Sequence, residues 1–432
     1  MLKALTKLSS SQKRTNWYRQ LFQKALHLNQ YNKQRSVCMD THSSIIIYNV
    51  TVYSENQTLK NGYIKLTNKK ITEIGEIHQY VRQPKDHVIE LSPSYKVIPG
   101  AIDVHIHGVN NADAMDGTAE ALKTMARTLP KEGTTSFLAT TMTQSNEAVE
   151  KALRNAGTYI EEQTDADAEV VGIHLEGPFI SPKRAGAQPP THIQDPNVAL
   201  FQEWQKAAGG HIKLVTLAPE QPNGLALTSY LKETNVVASI GHSDSTYDQV
   251  GEAIEAGASH ITHLYNGMRG LHHREPGVLG AAYLRDELFV ELITDGIHCR
   301  PEMVKLAYDQ ITSERMILIT DSLRAKWLKN GTYDLGGQPV HVNDTTATLA
   351  DGTLAGSILK MNDAIKNTMS FTNCSLEDIV KMTAENPAKQ LNLFDTKGSI
   401  KIGKDADIVV LNENLDVEMT FCRGTLSFQK ED

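Results

Sequence analysis

Apolar and polar positions along the chain fall into two textures. In the segments 45–50, 62–66 and 70–75, apolar and polar residues alternate over short runs, with Asn-, Gly- and Lys-rich turns between them. Alternation of this period predicts strands with one face in a core. The segments 398–402, 406–411 and 417–421 near the other end have the same texture. The two ends are therefore expected to pair into one small β-sandwich domain. Between them the pattern changes to near-continuous apolar runs at 97–107, 134–143, 170–179, 212–219, 236–242, 260–266, 288–295 and 316–321, with amphipathic stretches such as 118–131, 146–163, 246–256 and 301–311 between most of them. Eight buried strands alternating with helices predict an α/β fold, a TIM-like (β/α)8 barrel with its site at the strand C-termini. An open doubly wound sheet is the alternative, but no Gly-x-Gly-x-x-Gly follows the first run. The expected division is a basic tail at 1–43, β-sandwich parts at 44–96 and 397–432, and the barrel at 97–396.

Composition then narrows the function classes. With 432 residues, 40% hydrophobic and 22% charged, the chain has enough core for one large domain and a smaller one. No run is long enough to span a bilayer, and no signal peptide is recognisable, so a membrane partner is not expected. A formal charge of -8 leaves no basic excess to replace counterions along a phosphate backbone, which argues against nucleic acid as a partner. Cys38, Cys299, Cys374 and Cys422 are widely spaced without a Cys-x-x-Cys pair, as expected of reduced thiols in a cytoplasmic protein. Cys299, beside His298, reads as a small buried filler rather than a nucleophile. Residues 1–37 contain no acid and carry Trp17, Leu21, Ala25 and Leu28 at helical spacing. That composition fits a targeting helix or an appended non-catalytic tail, and the tail is the favoured reading.

Candidate chemistry lies at the ends of the central runs. Side chains two apart on an extended chain share a face, so His105 and His107 project together. Alone, such a pair is as readily two polar residues at a strand end. Glu176, His242 and His263, near the ends of the third, fifth and sixth runs, shift the balance toward a metal site. Imidazole with carboxylate suits a divalent ion such as zinc or iron rather than calcium or magnesium, and a shared Glu176 makes the set sufficient for one or two ions. Asp321 at the end of the eighth run is the candidate acid/base, and a helix cap is its plain alternative. His174 and His260 are expected to face elsewhere, His174 on the Glu176 face but deeper. His272, His273 and Arg274 after the sixth run, and Asp295 to His298 after the seventh, supply groups for an anionic substrate. Arginine matches phosphate with two parallel hydrogen bonds, whereas an ion pair with Glu275 or Asp286 would be its ordinary role. Glycine-containing turns at 186–188 and 354–357 allow backbone amides to approach a ligand.

The segments Ile102-Asp103-Val104-His105-Ile106-His107-Gly108, His174-Leu175-Glu176-Gly177-Pro178-Phe179, Gly241-His242, Thr262-His263-Leu264-Tyr265-Asn266, His273-Arg274-Glu275-Pro276-Gly277, Asp295-Gly296-Ile297-His298, Ile319-Thr320-Asp321 and Leu354-Ala355-Gly356-Ser357 together resemble the N-acetylglucosamine-6-phosphate deacetylase family of the amidohydrolase superfamily. The resemblance runs from about residue 44 to the C-terminus and leaves the tail outside. It implies metal-dependent hydrolysis of an N-acetyl group on a phosphorylated amino sugar, in cytoplasmic amino-sugar catabolism. By it, Glu176, His242 and His263 hold one ion, His105 and His107 a second, and Asp321 is both a metal-side residue and the catalytic acid/base. Asn266, Gly267 and Arg274 hold the phosphate, while Ala187, Gln188, Asp295, His298, Leu354, Ala355 and Gly356 shape the sugar pocket. A phosphate site completed by a neighbouring subunit implies a homodimer. Two departures stand out: Gln188 where many relatives have His, which puts a carbonyl-polarising role in doubt, and Gly267 in place of Ala, expected to be mild. Two other readings are a cyclic-amide hydrolase of the same superfamily and a sugar-phosphate-binding protein without activity. The first is disfavoured because the only Lys of the fourth run, Lys213, lies at its beginning.

Overall fold

The structure, a computed structural model, describes residues 44–164 and 166–431; the basic tail 1–43 and Cys38 lie outside the described residues. Eight parallel strands form the central sheet: β1 (Ala101–Ile106), β2 (Thr134–Thr140), β3 (Glu169–Glu176), β4 (Ile212–Leu217), β5 (Val237–Ile240), β6 (His260–Ile261), β7 (Phe289–Ile293) and β8 (Met316–Ile319). They neighbour one another in chain order. The ring closes between β8 and β1 just beyond the regular strands, where Asp321 N–H donates to the His105 carbonyl (2.8 Å) and His107 N–H to that of Ser322 (3.0 Å). Asp103 on β1 reinforces the seam by accepting from the Thr320 hydroxyl at 2.5 Å. Helices cover the outside. Their starts are set by side-chain caps that accept orphan N–H groups, as Thr118 does for Ala121 and Ser145 for Ala148.

The run 97–107 is two strands rather than one. Lys96–Pro99 pairs antiparallel with Ile408–Leu411 in the terminal sheet, and only from Ala101 does the chain join the barrel. Gly100 makes the crossing possible: a Cβ there would lie 2.1 Å from Thr135 Oγ1. The change of sheet thus falls three residues beyond the start of the run at Val97. The terminal sheet runs in the order Thr425–Gln429, Val417–Cys422, Ile408–Leu411, Lys96–Pro99, Ser44–Tyr53, Thr58–Thr67, Lys70–Glu76, with Asp86–Glu90 also on Ser44–Tyr53. It curls over its own apolar core, which includes Ile47, Ile64, Ile71, Ile408 and Phe421. The far edge returns to the chain before Ile408, with Ile71 N–H bonded to Lys404 O (3.0 Å) and Gly403 N–H to Ile71 O (2.8 Å). Segment 398–402 forms no strand and makes a single bridge, Ser54 to Ile400.

A three-stranded sheet, Gly331–Leu335, Gln338–Asn343 and Thr346–Thr348, has no counterpart in the sequence reading. It follows β8 and brings Leu335 and the loop at 353–356 over the mouth of the barrel. Cys299, Cys374 and Cys422 are buried free thiols, and burial pushes the Cys299 thiol up to about 12, which makes it unreactive. Among the described residues no helix is long and apolar enough to cross a membrane.

Candidate active site

His105 is the penultimate residue of β1 and Glu176 ends β3, while His107, His242, His263 and Asp321 follow β1, β5, β6 and β8 by one or two residues. All six side chains converge at the C-terminal mouth, where barrel sites are built. Three of them hold the left-handed backbone conformation that non-glycine residues rarely adopt: His242 (φ 46°), His263 (φ 28°) and Asp321 (φ 46°). Their neighbours hold that strain, which aims the side chains inward.

His242 Nε2 and His263 Nε2 are 3.1 Å apart, and each is 3.2 Å from Glu176 Oε1. Donors held about 2.0 Å from a tetrahedral ion are separated by about 3.3 Å, so this triangle has the size of a zinc-type coordination face. Glu176 Oε2 lies 3.2 Å from His107 Nε2, and Glu176 Oε1 lies 3.5 Å from His105 Nε2. Asp321 Oδ1 is 3.3 Å from His107 Nε2 and 3.5 Å from His105 Nε2. The two groups, His105–His107–Glu176 and Glu176–His242–His263, therefore share a carboxylate, and each could hold a metal ion. His105 Nε2 is buried without a hydrogen-bond partner, as expected of an atom meant to ligate. His242 Nδ1–H donates to the Arg184 carbonyl at 2.8 Å, which leaves the lone pair of Nε2 facing the pocket.

Burial opposes ionisation of both carboxylates, but the neighbouring imidazoles outweigh it. Glu176 is held well below the ordinary carboxylate range and Asp321 is also lowered. In His107 burial disfavours the charged ring, yet bonds to Asp321 and Glu176 lift it to about 10. Protons and a metal cation compete for such a site.

Ala187, Gln188, Asn266, Gly267, His298, Leu354 and Gly356 line the adjoining pocket. Ala355 is buried behind that wall. Asp295 sits beside His298, its Oδ2 2.7 Å from Nδ1, and although burial disfavours the charged ring this contact raises the His298 pKa. Arg274 is not brought to the pocket: it is exposed, with Nη1 2.7 Å from His273 Nε2. The Gln188 amide donates to Glu176 Oε2 (2.8 Å), and its Oε1 accepts from Thr143 N–H (2.9 Å). Gln188 thus holds the shared carboxylate in place. Gly267 is more constrained than its sequence context implies, with φ 56° and space so tight that a Cβ would lie 2.9 Å from His242 Nδ1.

The family model of the amidohydrolase family matches residues 96–426. This chain belongs to the amidohydrolase family. Among its relatives, the N-acetylglucosamine-6-phosphate deacetylase of Bacillus subtilis (strain 168) is 49% identical over 387 residues, spanning 89% of this chain and 97% of that protein. The crystal structure of N-acetylglucosamine-6-phosphate deacetylase from Thermotoga maritima superposes with a TM-score of 0.81 at 36% identity, over 89% of this chain and all of that one. A variant of the Mycobacterium smegmatis enzyme in complex with N-acetyl-D-glucosamine 6-phosphate gives a TM-score of 0.84 at 28% identity, over 90% of this chain and all of that one.

In this amidohydrolase several residues next to the site escape the sequence reading. Met142 and Thr353 line the pocket from loops, and Leu335 from the end of the strand Gly331–Leu335, in stretches whose sequences carry no motif. Glu291, wholly buried on β7, bonds His105 and His260. The signal was available, since it is the one charged residue in the apolar run Phe-Val-Glu-Leu-Ile. His174 lies beneath the site with its ring edge-on to that of His105 at 4.5 Å, and its Nε2 is 2.7 Å from Thr216 Oγ1. Burial first, then the His105 charge, holds its pKa well below the usual value.

Proposed function

We propose that the protein is a metal-dependent deacetylase that hydrolyses N-acetylglucosamine 6-phosphate to glucosamine 6-phosphate and acetate, acting in the cytoplasm in amino-sugar catabolism. The observation that carries this is the triangle of Glu176, His242 and His263 with Asp321 beside it, at the mouth of a barrel akin to known deacetylases. Glu176, His242 and His263 would hold one divalent ion, zinc or iron, and His105 and His107 with Glu176 a second. When bound, such an ion polarises the acetyl carbonyl and acidifies water. Asp321 takes the proton from the attacking water and delivers it to the amide nitrogen as the C–N bond breaks. His298, steadied by Asp295 on Nδ1, is left with Nε2 for the substrate. Asn266 and the Gly267 amide bind the phosphate, and Arg274, too far out to serve its own pocket, completes the phosphate site of a partner in a homodimer.

The test is acetate release from N-acetylglucosamine 6-phosphate by purified protein of measured metal content, with unphosphorylated N-acetylglucosamine as the control. Rapid release from the phosphorylated sugar alone is expected. No release from metal-loaded protein would leave the inactive binding reading, and release from a cyclic amide instead would move the substrate class.

A further inference from the structure

Glu291 stands third of five residues in β7 and is fully buried. A carboxylate withdrawn from water is costly unless it is well paired, so its surroundings should show what holds it there. Its partners all belong to the region of the site. Oε2 lies 2.9 Å from His105 Nδ1 and accepts from the His263 N–H at 3.1 Å. Oε1 lies 3.1 Å from His260 Nε2. Its ion-pair partners among the described residues are both imidazoles, and no lysine or arginine neutralises it.

The bond to His105 decides which nitrogen of the neutral ring carries the proton. An ionised carboxylate only accepts, so Nδ1 holds the hydrogen and, in the neutral ring a metal requires, Nε2 is left with the lone pair. That Nε2 is the buried atom without a hydrogen-bond partner, facing Glu176 and Asp321 at 3.5 Å each. His107, the other half of the His-x-His pair, has no partner on Nδ1, so nothing comparable orients it. Charge points the same way. One divalent ion at Glu176, His242 and His263 is balanced by the two carboxylates that face the pocket, Glu176 and Asp321. A second ion brings two further positive charges, and Glu291, directly behind His105, supplies a third negative one.

We propose that Glu291 is a positioning residue that makes the His105–His107 pair a site for a second divalent cation, by setting the His105 tautomer and adding charge beneath it. This rests on the metal reading above and goes beyond it, because it separates the two sites: loss of Glu291 weakens the second ion and leaves the first.

The experiment counts zinc per chain by mass spectrometry after dialysis of the whole protein, with a chelator titration to rank the two affinities. Wild-type protein is expected to hold two ions. Glu291→Gln keeps the shape and lacks the charge; it is expected to retain one ion at wild-type affinity and to bind the other about 10- to 100-fold more weakly. If that variant does not fold, Glu291→Asp, which withdraws the carboxylate by one methylene, is read in the same way. A purely structural role would lower the melting temperature without changing zinc number, so two ions of unchanged affinity in the folded variant overturn the proposal. A wild-type chain that takes up a single ion also overturns it, while one that takes up none defeats the metal reading itself.

Discussion

Asp321 is fixed from both sides of its peptide. Its N–H donates to His105 O and its carbonyl accepts from Ser357 N–H, both at 2.8 Å. The carboxylate faces the imidazoles and the pocket, and no helix begins where it would serve as a cap. Asp321→Asn preserves that shape and removes the proton acceptor. We expect kcat to fall by about 10²- to 10⁴-fold with zinc content unchanged, measured on one preparation. Wild-type turnover would take Asp321 out of the proton path. Gly267 makes the opposite kind of residue-scale case. Ala at this position would adopt a disfavoured φ and press on His242 Nδ1. Gly267→Ala should lower stability by about 1 kcal/mol and weaken metal retention, in a thermal melt and a chelator titration. Retention equal to wild type would mean that the loop yields without moving the ligand.

At the scale of elements, the barrel was legible because its buried strands are apolar runs and its candidate metal ligands stand where those runs end. What escaped did so for physical reasons. The break at Gly100 depends on Thr135 crowding from a neighbouring strand, and no local pattern records that contact. β6 has only two residues because the chain turns at once to place His263, whereas its composition reads as strand through Asn266. The extra three-stranded sheet covers the pocket with half-exposed strands; Gln338–Asn343 alternates, burying Val340 and Val342, but Gly331–Leu335 and Thr346–Thr348 bury one residue each and resemble loops. The terminal sheet carries a prediction of its own. Glu55 joins the end of Ser44–Tyr53 to the returning chain through Ser399 Oγ (2.6 Å), Lys401 Nζ (2.7 Å) and Lys404 Nζ (3.2 Å). Burial opposes its ionisation, but these hydrogen bonds pull it from 4.5 down to about 2. A depressed carboxylate stabilises the fold above its unfolded pKa, and that stability is lost as pH falls toward the folded value. The melting-temperature gap between wild type and Glu55→Gln should therefore be full above pH 4.5 and narrow toward pH 2. A gap independent of pH would show that the carboxylate charge does not hold this seam.

For the whole molecule, the position of Arg274 is the informative feature. Its guanidinium stays on the surface, and the two acids expected to pair with it are engaged elsewhere: Glu275 accepts from Tyr247 N–H and Gly277 N–H, and Asp286 lies 3.4 Å from Arg315. If Arg274 binds phosphate as proposed, it serves a site only when a second copy brings it there, which makes the proposed homodimer testable by complementation. Arg274→Ala alone should raise KM by about tenfold or more, since a charge-assisted hydrogen bond contributes about 1.5–3 kcal/mol. Asp321→Asn alone should be nearly inactive. In a dimer of one chain of each kind, one site combines the intact Asp321 of the first chain with the intact Arg274 of the second, and is whole. Random pairing of equal amounts makes about half the dimers mixed, each with one working site, so activity at low substrate should return to about a quarter of wild type. If Arg274 served its own chain, mixing would leave every site defective in one residue or the other. Activity after co-refolding that never exceeds the mean of the two separate variants would refute the shared site.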